Sequence, residues 1–240
     1  MANPVDNRYM TQSQSAAAAA DIDVGLRRYM LKVYNYMSVG LVVTGLIALL
    51  VSEHADLFQA VNYSPLRWVV ILAPVGFAML FGFRIQQMRA ITAEILYWAF
   101  AAIMGLSLSY IFVLYSHASI ARVFFITAGT FAGMSLYGYT TKRDLTSIGS
   151  FLVMGLFGII LAMLVNLFLQ SAALYFTISI IGVVVFVGLT AWDTQKIKEM
   201  YSAGDVAEVA TKKAILGAFQ LYLDFINLFV MLLRLMGSRR

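Results

Sequence analysis

The twenty residues AILGAFQLYLDFINLFVMLL (214–233) decide the fold, because a helix of this length and composition can cross the hydrocarbon core of a bilayer. One position breaks the apolar run: Asp224 lies near its middle. A carboxylate at that depth costs roughly 2.5–3.5 kcal/mol on insertion scales. We therefore expect Asp224 to face a polar partner or water inside a helical bundle, and it is the first candidate functional residue.

The composition of the whole chain is that of a polytopic membrane protein. Of its 240 residues, 61% are hydrophobic and 12% are charged, and the mean hydropathy is +0.82. Soluble domains carry about 25% charged residues. Cysteine is absent, which excludes disulfides, thiolate metal sites and thiol catalysis. No nucleotide-binding glycine loop or His-Glu-x-x-His zinc motif occurs, so we predict an all-α integral membrane protein that is not an enzyme.

Seven apolar stretches are long enough to span a membrane. They cover about 33–52, 66–83, 93–115, 120–140, 147–169, 174–194 and 214–235. The stretches lack strict alternation of apolar and polar residues, which argues against membrane-spanning strands. Residues 1–24 are polar and low in complexity, and we expect them to form a mobile tail. Residues 25–240 are then the membrane domain, a bundle of seven transmembrane helices.

Basic residues report the orientation of these spans. If the seven stretches alternate in direction, twelve of the 17 Lys and Arg residues fall on the side of the N-terminus. The positive-inside rule then predicts a cytoplasmic N-terminus and an external C-terminus. Because the basic residues are explained by orientation, they do not indicate nucleic-acid binding. The final residues 237–240, with Arg239 and Arg240, break the pattern. A last segment that enters the membrane and returns would remove this exception, and that alternative stays open.

A second carboxylate, Asp193, ends the preceding apolar stretch. It is followed by Lys196 and Lys198, which mark the cytoplasmic interface. Because the two helices are consecutive and antiparallel, both aspartates can reach the same half of the bundle interior. Two facing carboxylates in a low dielectric cannot both ionise at low cost. A shared proton would hold them together, and its loss would push the helices apart.

The aspartate pair would also attract cations. Calcium prefers about six to eight oxygen ligands, more than two aspartates supply. We therefore expect no cofactor and no tightly bound metal, and only weak, transient binding of Ca²⁺. Structural alternatives remain for both residues: Asp193 would pair with Lys196 or Lys198 near the headgroups, and Asp224 would hydrogen-bond to a neighbouring helix.

Other polar residues are candidates for the same cavity. Arg84 closes the second stretch, where it either anchors the helix at the interface or reaches inward as a latch on the aspartates. Asn227 lies three residues after Asp224 and shares its helix face, so it is a candidate for lining the cavity. Asn166 in the fifth stretch is a second candidate for that lining. Asn166, Asn227 and Gln220 would otherwise hydrogen-bond between helices.

Glycines inside the stretches predict close approach between helices. Six of them form pairs three to five residues apart: Gly40 and Gly45, Gly129 and Gly133, Gly155 and Gly158. We expect these glycines to serve helix packing and attach no chemistry to them.

Three segments carry a resemblance to a known family: SLYGYTTKRDL (135–145), GLTAWDTQKIK (188–198) and LYLDFINLF (221–229). They resemble the transmembrane Bax-inhibitor-motif family, in particular its bacterial branch, and the likeness covers about residues 25–237. The resemblance implies six helices around a central C-terminal seventh, in a bacterial inner (plasma) membrane.

The same resemblance implies a pH-sensitive calcium leak gated by two aspartates. The motifs match that pair to Asp193 and Asp224, and the latch arginine of the family to Arg84. Two features differ from the family pattern. Trp192 stands where tyrosine is common, and the stretch 72–76 lacks the carboxylate that some calcium-leak members carry in the second span.

The favoured function is therefore a proton-gated calcium leak channel whose partners are the bilayer and calcium or other cations. The first alternative is an interaction protein, because some bacterial relatives are thought to modulate a membrane-bound ATP-dependent protease and eukaryotic relatives suppress cell death. The second is a secondary transporter with the aspartates as a proton relay, although no internal repeat supports it. An intramembrane aspartyl protease is disfavoured, because neither aspartate has the usual Gly-x-Gly-Asp context.

Overall fold

The structure is a computed structural model that describes the backbone of residues 4–240 and, apart from Leu66 and Ile71, the side chains of residues 24–240. Within those residues the chain is helical and forms no strand, as predicted. The elements are α1 (Pro4–Glu53), α2 (Ala55–Asn62), α3 (Leu66–Arg84), a 3-10 turn (Ile85–Gln87), α4 (Ala90–Leu114), α5 (His117–Thr140), α6 (Thr146–Leu169), α7 (Ala172–Glu199) and α8 (Ala207–Met236). The mobile tail predicted for residues 1–24 stays a prediction, because the side chains of residues 1–23 lie outside the described part of the chain.

Several of these helices can cross a membrane. Among the described residues, six are long and apolar enough: α1 from Val24 onward, α4, α5, α6, α7 and α8. They coincide with six of the seven predicted stretches. The remaining stretch, 66–83, coincides with α3, a helix of 19 residues with Pro74 inside it. A multi-pass helical protein is confirmed, whereas the count of seven crossings stays a prediction.

The last two helices extend beyond their predicted stretches. α7 continues to Glu199 instead of ending near 194, and α8 begins at Ala207 instead of near 214. Residues 200–206 alone join the two helices, so the connection is shorter than the interval 195–213 between the predicted stretches. Hydropathy marks where a helix leaves the hydrocarbon. Lys, Glu and Ala residues have high helix propensity and carry the helix further.

α8 is the central helix of the bundle. Of its most apolar 18-residue window 67% is buried, against 11–33% for the other five candidate spans. It packs against α1, α4, α5 and α7, which agrees with the predicted central position of the C-terminal helix. Its Phe219 ring lies 4.7 Å from the Phe81 ring of α3 and 4.8 Å from the Phe100 ring of α4, measured between centroids. Aromatic contacts thus fix one side of α8.

Two glycines bring α7 close to its neighbours. A Cβ atom on Gly138 of α5 would overlap the carbonyl group of Ala191, and one on Gly149 of α6 would overlap the indole ring of Trp192. Both contacts lie in the last third of α7, where Asp193 is located. They hold that part of α7 against α5 and α6.

Of the six glycines predicted to serve packing, two contact a neighbouring helix and four do not. Gly40 contacts the Tyr97 hydroxyl and Gly155 contacts Val185. A Cβ atom at each of the other four would meet nothing within 4 Å; these are Gly45, Gly129, Gly133 and Gly158. The packing prediction is wrong for those four, because spacing along a helix does not show which face meets a neighbour.

The bundle has two ends. We call the end that contains residues 200–206 the α7–α8 end, and the end that contains residues 237–240 the C-terminal end. α5 finishes and α6 begins at the α7–α8 end, whereas α6 finishes and α7 begins at the C-terminal end.

Candidate functional site

Asp193 on α7 and Asp224 on α8 meet inside the bundle. Their carboxyl groups lie within hydrogen-bonding reach of each other. Both residues are buried: 9% of Asp193 and 5% of Asp224 is exposed. The structure thus brings together the two residues that the sequence predicts for the site.

The packing of α7 on α8 accounts for this proximity. Gly217, Asp224 and Met231 follow one another at seven-residue intervals, so they share one face of α8. Gly217 lies against Ile197 of α7, and Met231 lies against Gly182 of the same helix. This face of α8 therefore points toward α7. The register of the two antiparallel helices leaves the aspartates about one helical turn apart, roughly 5 Å along the axis, which two side chains can bridge.

The nearby lysines do not form ion pairs with Asp193. The ammonium group of Lys196 lies 5.0 Å from the Trp192 ring centroid, and Lys198 donates a hydrogen bond of 2.9 Å to the carbonyl oxygen of Tyr139. Among the described side chains there is one salt bridge, between Lys213 and Asp205, and it does not involve Asp193 or Asp224. Lys196 is near enough to act on Asp193 electrostatically, but neither aspartate forms an ion pair with a described side chain.

Two oxygen atoms at the site lack a hydrogen-bond partner among the described residues. They are Oδ2 of Asp224 and Oε1 of Gln220, and both are fully shielded from the surface. Gln220 precedes Asp224 by four residues and so lies on the same side of α8. A buried acceptor without a donor is costly. These atoms are accordingly places where a proton, a water or a cation would be stabilised.

Asn227 and Asn166 do not form the hydrogen bonds between helices that the sequence suggested. The amide of Asn227 donates to Leu223 of its own helix at 2.8 Å. Asn166 accepts a hydrogen bond from the backbone N–H of Ser171 at 3.0 Å. It lies at the C-terminal end of the bundle, where it lines a different cavity. The idea that Asn166 shares a cavity with the aspartates is wrong, because Asn166 lies in the last turn of α6, at the opposite end of the bundle.

Arg84 lies apart from the aspartates in this conformation. It ends α3, its side chain is exposed, and it forms no ion pair with the acids that the structure describes. A latch between Arg84 and the pair would require α3 to move relative to α7. The latch stays a prediction.

Sequence reasoning missed a chain of buried hydroxyl groups beside the site. The Tyr34 hydroxyl lies 2.6 Å from the Ser135 hydroxyl, which lies 2.9 Å from the Thr194 hydroxyl. Thr194 directly follows Asp193 and bonds back to the carbonyl oxygen of Thr190 at 2.7 Å. The chain begins at a cavity of about 500 Å³ between α1 and α5. The one signal in the sequence is that these three polar residues occur within or beside apolar stretches.

The connection between α5 and α6 is fastened to α7 next to the site. Gln195 accepts a hydrogen bond from the backbone N–H of Leu145 and donates one to the carbonyl oxygen of Arg143, both at 2.8 Å. In the same connection, Asp144 accepts a hydrogen bond from the backbone N–H of Thr146 at 2.8 Å. Hydrogen bonds from the side chain and the backbone of Thr146 lower the pKa of Asp144. An ionised Asp144 suits the start of α6.

The site contains fewer potential metal ligands than a tight metal centre needs. Among the described residues, no three His, Cys, Asp or Glu side chains cluster together. Asp193, Asp224 and Gln220 would offer oxygen ligands, whereas Ca²⁺ takes about six to eight. The weak calcium binding expected from the sequence stays a prediction.

Comparison with known proteins identifies the family of this chain. Residues 26–240 match the family described as Inhibitor of apoptosis-promoting Bax1. The chain belongs to the Bax inhibitor family. This membership confirms the resemblance seen in the three motif segments, and the match extends over the whole membrane domain.

Bacterial Bax inhibitor relatives align over most of the chain. An uncharacterized protein of Rickettsia prowazekii is 51% identical over 218 residues, which cover 91% of this chain and 92% of the relative. Inner membrane protein YbhL of Escherichia coli is 46% identical over 219 residues, covering 90% and 94%. An uncharacterized protein of Caulobacter vibrioides is 41% identical over 249 residues, covering 99% of each.

These relatives and the apolar helices support a multi-pass protein of a bacterial inner membrane. Their names mention no ion, no protease and no enzymatic activity. Calcium as the cation, a membrane protease as partner and the cytoplasmic N-terminus therefore stay predictions.

Proposed function

We propose that this Bax inhibitor family member is a pH-sensitive cation leak channel in which Asp193 and Asp224 form the gate. Calcium is the cation that the family resemblance implies. One observation carries the proposal: the two buried carboxyl groups lie within hydrogen-bonding reach of each other and have no ion-pair partner among the described side chains.

The gate follows from the cost of burying like charges. One proton shared between Asp193 and Asp224 leaves a single negative charge and a strong hydrogen bond between α7 and α8. Removal of that proton leaves two negative charges in a poorly hydrated space, where they repel each other and attract water. The leak then increases as pH rises, because deprotonation separates the helices.

The oxygen atoms without hydrogen-bond partners would act as ligands for a cation when the gate is open. Oδ2 of Asp224 and Oε1 of Gln220 are acceptors without donors among the described residues. Together with Asp193 they would replace part of the hydration shell of a passing ion. So few ligands bind Ca²⁺ weakly, and weak binding allows the ion to leave again.

An apolar cavity lies beside α8, beyond Asp224 toward the C-terminal end, and supports an ion path that is closed at rest. It measures about 90 Å³ and is lined by α1, α4, α5 and α8, with Thr44, Phe124, Phe225 and Phe229 among its lining residues. An apolar cavity of this kind stays dry. Ions would cross it only after the parting of the helices lets water in, as in hydrophobic gates.

Ion flux into proteoliposomes tests the proposal. The purified chain is reconstituted with a calcium-sensitive dye inside the vesicles, and the pH is set equally on both sides. We expect the wild-type leak to rise with pH, and Asp193→Asn and Asp224→Asn to remove that dependence. Asp144→Asn is the matched control, because Asp144 is an exposed carboxylate at the same end of the bundle. Unchanged pH dependence in both pair variants would refute the gate.

A further inference from the structure

A polar cavity of about 570 Å³ lies at the C-terminal end, away from the aspartate pair. The residues that matter in its lining are Asn166, Gln170, Ser171, Tyr175, Arg234 and Arg239. We propose that this cavity binds a phosphate-bearing anion, either the headgroup of an anionic phospholipid or free phosphate. The proposal is independent of the cation leak and of the aspartates.

The two arginines give the cavity a positive charge that no described side chain neutralises. No acidic residue lines the cavity, and neither Arg234 nor Arg239 forms an ion pair with a described acid. Arg239 is one of the C-terminal arginines that depart from the positive-inside pattern. The dipole of α8 favours Arg234 in its last turn, but Arg239 lies beyond the helix. A ligand of negative charge accounts for both.

Arg234 is held in place by aromatic neighbours. Its guanidinium carbon lies 4.8 Å from the centroid of the Tyr175 ring, a cation–π distance. Its guanidinium also donates to the Met231 sulfur at 4.0 Å and lies near the Tyr110 hydroxyl of α4. An arginine restrained in this way loses less conformational entropy when it binds a ligand.

Arg239 is held by its backbone. Residues 237–240 pack on the connection between α4 and α5, where Arg239 pairs with Tyr115 in an antiparallel bridge. Backbone hydrogen bonds flank the bridge: Ser116 donates to the carbonyl oxygen of Ser238 at 3.2 Å, and Arg240 donates to that of Leu114 at 3.1 Å. The backbone N–H of Ser238 also donates to the Ser119 hydroxyl at 2.9 Å. The last residues of the chain thus form an ordered wall.

The opposite wall also suits an anion. It contains the start of α7, a helix of 28 residues whose N-terminal dipole favours negative charge. Gln170 adopts a left-handed conformation, with φ 49° and ψ 31°, that ends α6. The hydrogen bond from Ser171 to Asn166 then closes the turn. Arg234 lies on the Tyr175 ring in the first turn of α7, so its charge and the helix start contribute positive potential at the same part of the cavity.

The position of the cavity argues for a phosphate. It lies at helix ends, where tyrosines such as Tyr110, Tyr115 and Tyr175 mark a membrane interface, and phospholipid headgroups occupy that depth. The arginine fork fits phosphate with two parallel hydrogen bonds. The volume lies within the range of about 300–1,000 Å³ that small-molecule sites occupy.

Native mass spectrometry of the purified full chain tests the proposal. The probes are dioctanoyl phosphatidylglycerol, dioctanoyl phosphatidylcholine and inorganic phosphate. We expect phosphatidylglycerol to bind about tenfold more tightly than phosphatidylcholine, because both carry a phosphate but the choline ammonium offsets its charge beside the two arginines. Arg234→Gln and Arg239→Gln should each remove this preference. Arg122→Gln, an exposed arginine at the same end but outside the cavity, should keep it.

The probes distinguish the two sources of phosphate. If inorganic phosphate neither binds nor displaces phosphatidylglycerol, the ligand is the lipid headgroup. If inorganic phosphate binds with the same dependence on both arginines, the ligand is free phosphate. Equal binding of the two lipids to the wild type, together with no arginine-dependent binding of phosphate, would overturn the proposal. Arg239→Gln alone decides the matter if Arg234→Gln fails to fold, because Arg239 lies outside the helices and its side chain is exposed.

Discussion

The hydroxyl groups of Thr44 on α1 and Tyr222 on α8 lie 2.6 Å apart in the buried interior of the bundle. Thr44 donates its own hydrogen to the carbonyl oxygen of Ala101 on α4 at 2.8 Å, so Tyr222 is the donor toward Thr44. One threonine thereby links the central helix to two of the helices around it. This link lies one turn or less from Asp224 along α8 and restrains the helix that carries the gate.

Thr44→Val should destabilise the protein more than Tyr222→Phe. Removal of the threonine hydroxyl leaves the tyrosine O–H buried without an acceptor, which costs about 1–3 kcal/mol. Removal of the tyrosine hydroxyl leaves Thr44 bonded to Ala101 and costs only the net value of one hydrogen bond, about 0.5–1.5 kcal/mol. Thermal unfolding in detergent, followed by tryptophan fluorescence, measures the order. A larger loss for Tyr222→Phe would contradict the hydrogen-bond arrangement.

Gly138→Ala should destabilise the bundle, whereas Gly133→Ala should not. The added methyl group at Gly138 would collide with the backbone of Ala191, which cannot move without shifting α7. At Gly133 the methyl group would meet nothing within 4 Å. There the substitution should be neutral or stabilising by up to about 1 kcal/mol, because alanine favours helix over glycine.

The two glycine variants control for each other, since both lie in α5 and both gain one methyl group. Size-exclusion chromatography after heating reports the midpoint of aggregation for each. We expect a midpoint several degrees below wild type for Gly138→Ala only. Equal behaviour of the two variants would show that α5 and α7 are not in the described contact.

Gln195→Leu should loosen the α5–α6 connection. The substitution keeps the volume but leaves the Leu145 N–H and the Arg143 carbonyl without their partner, at about 1–3 kcal/mol for a buried group. Gln195→Glu keeps an acceptor for Leu145 and should lose less. Hydrogen exchange of the amides of residues 141–149 provides the measurement.

Gln87→Leu serves as the control for Gln195→Leu, because Gln87 is exposed. Exchange in 141–149 should rise in Gln195→Leu, rise less in Gln195→Glu and stay unchanged in Gln87→Leu. The role given to Gln195 would be wrong if its leucine variant exchanged like the wild type.

Much of the fold and the core of the site could be predicted from the sequence. Long apolar stretches have few alternatives to membrane-spanning helices, and the expense of a carboxylate within one singles out Asp224. The antiparallel order of consecutive helices then places Asp193 nearby. These inferences need only hydropathy, charge and chain order, all of which are local properties.

The remaining features depend on helix rotation and on contacts between distant residues. The hydroxyl chain of Tyr34, Ser135 and Thr194 joins three helices, and no local pattern shows that they meet. The stretch 207–213 was missed as helix because it is polar and lies outside the hydrocarbon.

The central claim is that Asp193 and Asp224 compete for protons as one unit. Infrared difference spectroscopy of the full chain in lipid nanodiscs follows the carboxyl bands as pH changes, in the wild type, in Asp193→Asn and in Asp224→Asn. Coupled groups titrate in steps that belong to the pair, so replacing either aspartate should move the titration midpoint of the other by more than about one pH unit. If each carboxyl group titrates at the same midpoint with and without its neighbour, the two do not interact and the gate that we propose does not exist.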